Sequence, residues 1–268
     1  MRDFGRKVFM SKFFNILFTQ QQFTDWALHL LYPKRCPFCD RVMFQSVLVL
    51  TPAVCAECEK KIEYIKEPVC KICGRPVFSP QQEKCFDCET KKHFFIQGKA
   101  LFVYKGIVRE SIYRFKYAGR REYGDYYGKE ISRYYEKWIR DKTIDAIIPI
   151  PLHKSRKRQR GFNQAEELAH VIGRQFNIPV RINILKRVKK TRPQKELNNI
   201  ERKNNLKKAF KIHRNEVQLT HILLVDDIYT TGNTIDEAAK ELINSGVKCI
   251  YYICISIGRG YEEEKIWM

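Results

Sequence analysis

The chain has 268 residues, with 50 Lys+Arg against 30 Asp+Glu, a net charge of +20 and a pI near 9.5. At 44% hydrophobic and 13% aromatic it has the material for a packed core, which excludes wholesale disorder. No apolar run approaches the roughly 20 residues of a spanning helix, and the apolar burst at residues 13–18 is short for a secretory signal and carries Asn15, so the chain reads as a soluble cytoplasmic protein of one or two domains.

Residues 1–32 form an extension ending in Phe23, Trp26, Ala27, Leu30 and Leu31 at helical spacing. A short amphipathic helix is expected there. Its few charges favour packing on the next module over a membrane-surface role. Residues 33–92 are organised by cysteine. Eight of the ten Cys form four Cys-x-x-Cys pairs: Cys36/Cys39, Cys55/Cys58, Cys70/Cys73 and Cys85/Cys88, with gaps of 15, 11 and 11 residues. In a reducing compartment a disulfide framework is disfavoured. Tetrahedral zinc wants four thiolates, and two such knuckles supply them with little strain. Two complete sets imply two closed structural zinc sites, whereas a catalytic zinc keeps an open position. The spacing allows either sequential or interleaved pairing. A redox role would use a single motif beside a βαβ unit. A module this small depends on its metal to fold. Cys249 and Cys254 fall in an apolar run and read as core.

From residue 95 to 268 strands alternate with helices, the pattern of an α/β domain with a mainly parallel sheet. Residues 100–104 read as a strand, and residues 144–150 as a buried parallel one. Residues 124–140 read as one helix with Tyr127, Ile131, Tyr134 and Trp138 on a face. A further helix starts at Gln164. Asn163 is its N-cap, Glu166 completes a capping box, and Ala165, Leu168, Ala169, Ile172 and Phe176 form its stripe.

Residues 221–245, HILLVDDIYTTGNTIDEAAKELINS, are the most informative. A buried strand over 222–225 ends in Asp226 and Asp227. The turn Thr230, Thr231, Gly232, Asn233 and Thr234 follows, then a helix with Ile235, Ala238, Ala239, Leu242 and Ile243 inward, stopped by Gly246. Strand, loop and helix N-terminus make a phosphate site: backbone N–H groups converge, Gly232 allows close approach, and threonine hydroxyls add donors. Carboxylates repel phosphate but accept hydrogen bonds from sugar hydroxyls, so a ribose 5-phosphate fits the combination. No Walker lysine and no GxGxxG is present, which disfavours a P-loop NTPase and a dinucleotide site.

The run from Val225 to Thr234 resembles the phosphoribosyl pyrophosphate (PRPP) motif of type I phosphoribosyltransferases. With the four cysteine pairs, FKYAGR (115–120), IPIPLHKSRKRQRGFNQAEELA (148–169), TRPQKEL (191–197) and ERKNN (201–205), the chain after residue 30 is similar to the ComF (ComFC) family, competence proteins that join a double zinc ribbon to a phosphoribosyltransferase-like domain. Asn233 stands where that family often has a small residue such as Ala, a change of little consequence. The first 20 or so residues have no recognisable counterpart.

The resemblance implies that Asp226 and Asp227 hold the ribose 2′- and 3′-hydroxyls and that Thr230 to Thr234 hold the 5′-phosphate. Pyrophosphate would lie near the turn after residues 149–151, among Lys154, Arg156, Lys157, Arg158 and Arg160, with magnesium bridging substrate oxygens. The reaction implied is displacement of pyrophosphate at C1, catalysed by positioning and charge neutralisation. The polar stretch 186–208 would be a mobile hood. No residue declares itself a general base.

Charge sets up a second class of function. Residues 151–214 hold 19 Lys+Arg against 4 Asp+Glu, an excess of 15 that one PRPP does not require. Beside the plain reading of a solvated basic face stands a track for single-stranded DNA, with Phe162 and Phe210 as stacking aromatics. The family's association with DNA uptake in natural transformation favours that track, and the zinc ribbons are a second candidate surface for nucleic acid or a protein partner such as a helicase. Two readings therefore stand: a phosphoribosyltransferase, and a DNA-binding protein whose phosphoribose pocket acts as a sensor or nucleotide-end site.

Overall fold

The computed structural model describes residues 33–43, 53–189, 209–212 and 219–258. They divide between two compact units, Met1–Lys61 and Ile62–Met268. The expected helix over 23–31, most of the expected hood, and the TRPQKEL and ERKNN segments lie outside the described residues. Among the described residues no helix is long and apolar enough to cross a membrane.

In the first unit, a knuckle closes at Cys36 and Cys39. The amide of Cys36 donates to Arg41 O at 2.9 Å, and Asp40 takes φ 62°. Cys55 then caps the one-turn helix α1 (Ala56–Glu59). The second unit opens with the same pattern. Cys70 N donates to Arg75 O at 2.7 Å, Gly74 takes φ 74°, and Cys85 caps α2 (Phe86–Thr90).

Then come β1 (Gln97–Val103), α3 (Gly106–Tyr117), α4 (Tyr123–Tyr134), α5 (Glu136–Asp141), β2 (Ala146–Pro149), α6 (Lys154–Arg160) and α7 (Gln164–Phe176). A two-stranded antiparallel hairpin pairs β3 (Leu185–Arg187) with β4 (Phe210–Ile212). The unit ends with β5 (His221–Tyr229), α8 (Asn233–Asn244) and β6 (Cys249–Ile257). The main sheet has order β1-β6-β5-β2 and is parallel throughout, as the alternating pattern predicted.

Several elements differ from expectation for identifiable reasons. The helix expected over 124–140 breaks at Tyr135, with φ −114° and ψ 22°, into α4 and α5. The break lets Tyr135 donate to Ala100 O at 2.6 Å, while Tyr134 stacks on Tyr64 with ring centroids 5.2 Å apart and is exposed. Asn163 does cap α7, accepting from Ala165 N at 3.2 Å, but Glu166 turns away to pair with Lys157 at 3.1 Å, so the box does not close. Gly246 ends α8 in a Schellman arrangement: its N–H donates to Ile243 O and that of Val247 to Leu242 O. Helix α3 carries no expectation from the sequence. Cys254 is fully buried, as expected, and Cys249 only partly. Phe162 and Phe210 are a correction: they are 8% and 1% exposed. Phe162 packs on Phe115, and Arg187 lies over the Phe210 ring, so neither ring can stack on a base.

The strand period of two decides what faces what. Ile222, Leu224 and Asp226 point to the side of α8 and the hairpin, whose core also holds Ala238, Leu242, Leu185 and Phe210. Leu223, Val225 and Asp227 point to the opposite side, where α7 covers β2 and β5. The second cysteine set belongs to the α8-side core, with Cys70, Cys73, Cys85 and Cys88 all 6% exposed or less.

Candidate functional site

Metal comes first, because it shapes the rest. The Sγ atoms of Cys36, Cys39, Cys55 and Cys58 lie within 4.8 Å of one another, and so do those of Cys70, Cys73, Cys85 and Cys88. Cys39 and Cys55 Sγ are 3.7 Å apart, and Cys73 and Cys85 Sγ 3.6 Å. A tetrahedron with Zn–S bonds of 2.3 Å has S···S edges of about 3.8 Å, so both sets fit zinc. The pairing is sequential, which settles the alternative that spacing left open. Four thiolates leave no coordination position for substrate, so these are structural sites.

The cleft forms where β2 and β5 end. Pairing of these strands in parallel register, Pro149 beside Val225, brings both carboxyl ends to one edge, and Ile150 N donates to Val225 O at 2.8 Å. Such an edge is where open α/β sheets bind ligands. Asp226 and Asp227 stand there. The basic segment does not form a turn but the helix α6, and its cations divide by face. Arg156 and Arg160, one turn apart, are half-buried, whereas Lys154, Lys157 and Arg158 are exposed. Arg160 donates to Gln164 Oε1 at 2.9 Å and to Tyr117 OH at 3.2 Å, lies over the Tyr117 ring, and sits 4.0 Å from the Asp227 carboxylate. The cleft thus gathers Arg156 and Arg160. Lys157 is tied to Glu166 instead.

Two cations that the sequence did not assign complete the cleft. Lys116, at the end of α3, pairs with Asp227 at 2.9 Å, both side chains about 14% exposed. Lys116 lies within the FKYAGR motif, which was the available signal. Arg187 ends β3, inside the segment read as hood. Burial pulls its guanidinium down to about 10; Arg156 and Arg160 add to that fall, and Asp226 opposes it. Asp226 itself is pushed up to about 7, first by desolvation and then by Asp227; the Asp227 amide, Lys116 and Arg187 resist the rise. Two acids and four cations therefore share one edge, and Asp226 is poised to change charge near neutrality.

Beyond Asp227 the chain turns through Thr230–Thr234 into α8. Gly232 has φ 74°, and a Cβ there would stand 2.4 Å from Tyr229 OH, so glycine is required. The Thr231 hydroxyl is buried and has no hydrogen-bond partner, a donor turned to no protein acceptor. The N–H groups of the first turn of α8 have no intrahelical acceptor. The Asn233 side chain turns toward the second ribbon, where its Oδ1 accepts from Lys91 Nζ at 2.8 Å. Asp236, in the first turn of α8, stays below the usual carboxyl range although burial opposes it, because His93 and Lys91 hold its ionised form.

Comparison with known proteins agrees with this anatomy. Residues 27–89 match the double zinc ribbon domain and residues 127–266 the phosphoribosyl transferase domain. The chain is 31% identical over 225 residues to competence protein ComFC of Bacillus subtilis, covering 79% of this chain and 89% of that protein. It is 32% identical over 204 residues to competence protein F of Haemophilus influenzae, covering 73% and 86%. It is 26% identical over 205 residues to the DNA utilization protein YhgH of Salmonella typhimurium, covering 75% and 89%. With both domains matched in order and a relative of this identity covered almost end to end, the chain belongs to the ComF family of competence proteins, a double zinc ribbon followed by a type I phosphoribosyltransferase-like domain.

Proposed function

We propose that the cleft at the end of β5 binds PRPP, or a ribose 5-phosphate compound, together with magnesium. The observation that carries this reading is the adjacency of Asp226 and Asp227 to a glycine-pinned loop with an unpartnered buried Thr231 hydroxyl. In this reading the two carboxylates accept hydrogen bonds from the ribose 2′- and 3′-hydroxyls, and the Thr230–Thr234 amides and hydroxyls hold the 5′-phosphate. Lys116, Arg156, Arg160 and Arg187 surround the position where pyrophosphate would leave C1. Four cations there lower the cost of developing negative charge on the leaving group, the main device for such a reaction. The acceptor is a nitrogen nucleophile. Magnesium comes with the substrate, held by its oxygens and water.

The test is calorimetry with PRPP and magnesium. Asp226→Asn with Asp227→Asn should weaken binding at least tenfold, because several hydrogen bonds to charged acceptors, each worth about 1.5–3 kcal/mol, are lost. Unchanged affinity in a folded double variant would sink the assignment. Pyrophosphate release across a panel of bases tells transfer from binding alone.

A second reading is supported by the outward face of α6. Lys154, Lys157 and Arg158 are exposed there, and the relatives' names concern competence and DNA utilization. We infer that this face, with the flanking basic segment, binds single-stranded DNA in the cytoplasm during transformation, alongside a partner such as a competence helicase. Five or six engaged cations give a slope of log K against log salt of roughly −4, since each neutralised phosphate of a single strand contributes about −0.7. Charge reversal at Arg156, Lys157 and Arg158 should flatten that slope and, through the inward-facing Arg156, also weaken pyrophosphate binding in the cleft. Wild-type DNA binding by that variant, or binding insensitive to salt, would remove the DNA track and leave the phosphoribosyl cleft.

A further inference from the structure

The loop Thr230–Thr234 is held from behind by side chains of the second cysteine ribbon. Arg75 Nη2 donates to Thr230 O at 2.9 Å, and Lys91 Nζ donates to Thr231 O at 3.3 Å. In a planar trans peptide the N–H points opposite to the C=O. Fixing these two carbonyls therefore turns the N–H groups of Thr231 and Gly232 away from the ribbon, to the side where an anion would sit. Arg75 reaches the cysteines directly, and Lys91 reaches them through Asp236 and His93. Arg75 is 3% exposed, donates through Nη1 to Asp87 at 2.5 Å and lies 3.8 Å from Cys85 Sγ. His93 stands between Cys88 Sγ, 3.5 Å from its Nε2, and the Asp236 carboxylate, 3.0 Å from its Nδ1. Asp236 also takes Lys91 at 2.5 Å and the amide of Phe94 at 3.1 Å, which seats the first turn of α8. A further route runs through Tyr252: its hydroxyl donates to Cys73 O at 2.8 Å, and its ring stacks 4.7 Å from Tyr229, the residue that confines Gly232.

We propose that the second cysteine set controls the phosphoribose cleft, with Arg75, Lys91 and His93 as positioning residues, so that metal at Cys70, Cys73, Cys85 and Cys88 and a sugar phosphate at Thr230–Thr234 favour each other's binding. The inference rests on the phosphoribose reading of the cleft. Its physical basis is that the ribbon grips the carbonyls of the anion-binding peptides themselves, so a ribbon that loses its thiolate centre also releases the loop's orientation. Such coupling is reciprocal by thermodynamic necessity: ligand must protect metal as much as metal favours ligand.

Reciprocity supplies the experiment. The full-length, reduced, zinc-loaded chain is treated with a zinc-selective chelator that leaves magnesium free, together with N-ethylmaleimide, and cysteine labelling is read peptide by peptide by mass spectrometry. Ribose 5-phosphate with magnesium should slow labelling of Cys70, Cys73, Cys85 and Cys88 by about tenfold, within the usual range of allosteric coupling. Labelling of Cys36, Cys39, Cys55 and Cys58 should be unchanged. Lys91→Met and His93→Gln should keep two zinc ions per chain, bind ribose 5-phosphate about tenfold more weakly by calorimetry, and lose the protection even at saturating ligand. Lys91→Arg, which keeps the cation, should restore both. Equal labelling with and without calorimetrically bound ligand would overturn the coupling, as would wild-type affinity and protection in the two variants. Failure of the wild-type chain to bind ribose 5-phosphate at all is a different result: it overturns the phosphoribose reading, and this inference with it.

Discussion

The two cysteine ribbons are built alike and used differently. In each, an arginine follows the second cysteine by two residues, Arg41 after Cys39 and Arg75 after Cys73, and pairs with the acid two residues into the next Cys-x-x-Cys, Glu57 or Asp87. In the first ribbon that pair is open to water, with side chains 60% and 64% exposed. In the second, the Arg75 side chain is 4% exposed, and its remaining arm reaches Thr230 O. The left-handed knuckle residue differs in the same sense. The first ribbon has Asp40, whereas at Gly74 a Cβ would stand 2.7 Å from Gly98 O on β1. Local chemistry makes the same knuckle twice, and packing against the sheet makes one of them part of the phosphoribosyltransferase-like domain.

The sharpest way to break this comparison is to remove two ligands from each set. Cys85→Ser with Cys88→Ser should destabilise the Ile62–Met268 unit by several kcal/mol, because a closed zinc site supplies folding energy outright and these cysteines lie in its core. Cys55→Ser with Cys58→Ser should cost one zinc and leave that unit's unfolding transition in place. Elemental analysis and calorimetric melting check both, starting from two zinc ions per chain.

The matched arginines come next. Arg75→Ala strands a carboxylate and a carbonyl, and breaking a buried pair by removing one partner costs about 3–5 kcal/mol. Arg41→Ala breaks an exposed pair and should cost under about 1 kcal/mol. Comparable losses from denaturant unfolding would refute the difference in role. A smaller contrast follows at the knuckle. Gly74→Ala adds left-handed strain and a backbone clash, worth about 1–3 kcal/mol, whereas Asp40→Gly should change stability by a few tenths.

The smallest effect depends on pH. The carboxyl of Asp226 is raised in the folded chain, so the native state holds a proton that the unfolded chain has released. Stability contributed by that proton is lost as pH climbs from about 4 to about 7. Asp226→Asn, which imitates the protonated form, should therefore melt a few degrees higher than wild type at pH 8 and alike at pH 4. Sugar binding should go the other way, since the ionised carboxylate is the better acceptor. Wild-type affinity for ribose 5-phosphate should rise with pH up to about 7, and the variant should lose that part of the rise. A variant no more stable than wild type at pH 8 would show that Asp226 is not held under strain.

The legible parts of this protein share one property: their chemistry is local. Four Cys-x-x-Cys pairs announce metal because the ligands of each knuckle are three residues apart. The run from Ile222 to Gly246 announces strand, tight turn and helix because period two, glycine and period 3.6 follow one another without a break. Helix α3 is hard to read from sequence because its apolar positions Val108, Ile112 and Phe115 sit in a short, charge-rich segment whose N-cap, Lys105, makes no side-chain cap hydrogen bond. Residues 124–140 were read as one helix because nothing in their periodicity marks Tyr135, whose break serves a contact with β1. The basic helix α6 was legible as charge and illegible as geometry: only folding separates Arg156 and Arg160 from Lys154, Lys157 and Arg158.

By itself, the sequence determined the family, the eight metal ligands, the parallel α/β class and the acid pair before the loop. Which cysteines group together, and what meets the loop, was decided by tertiary structure alone. Arg75 reaches Thr230 across 155 positions, and Lys91 reaches Thr231 across 140. Lys116 meets Asp227 only because the sheet brings the ends of distant segments to one edge. A periodicity or a motif reports which face a residue takes on its own element. The partner waiting on that face is set by strand order and register, here β2 beside β5 and Gly98 against the second knuckle, and those are properties of the whole chain packed together.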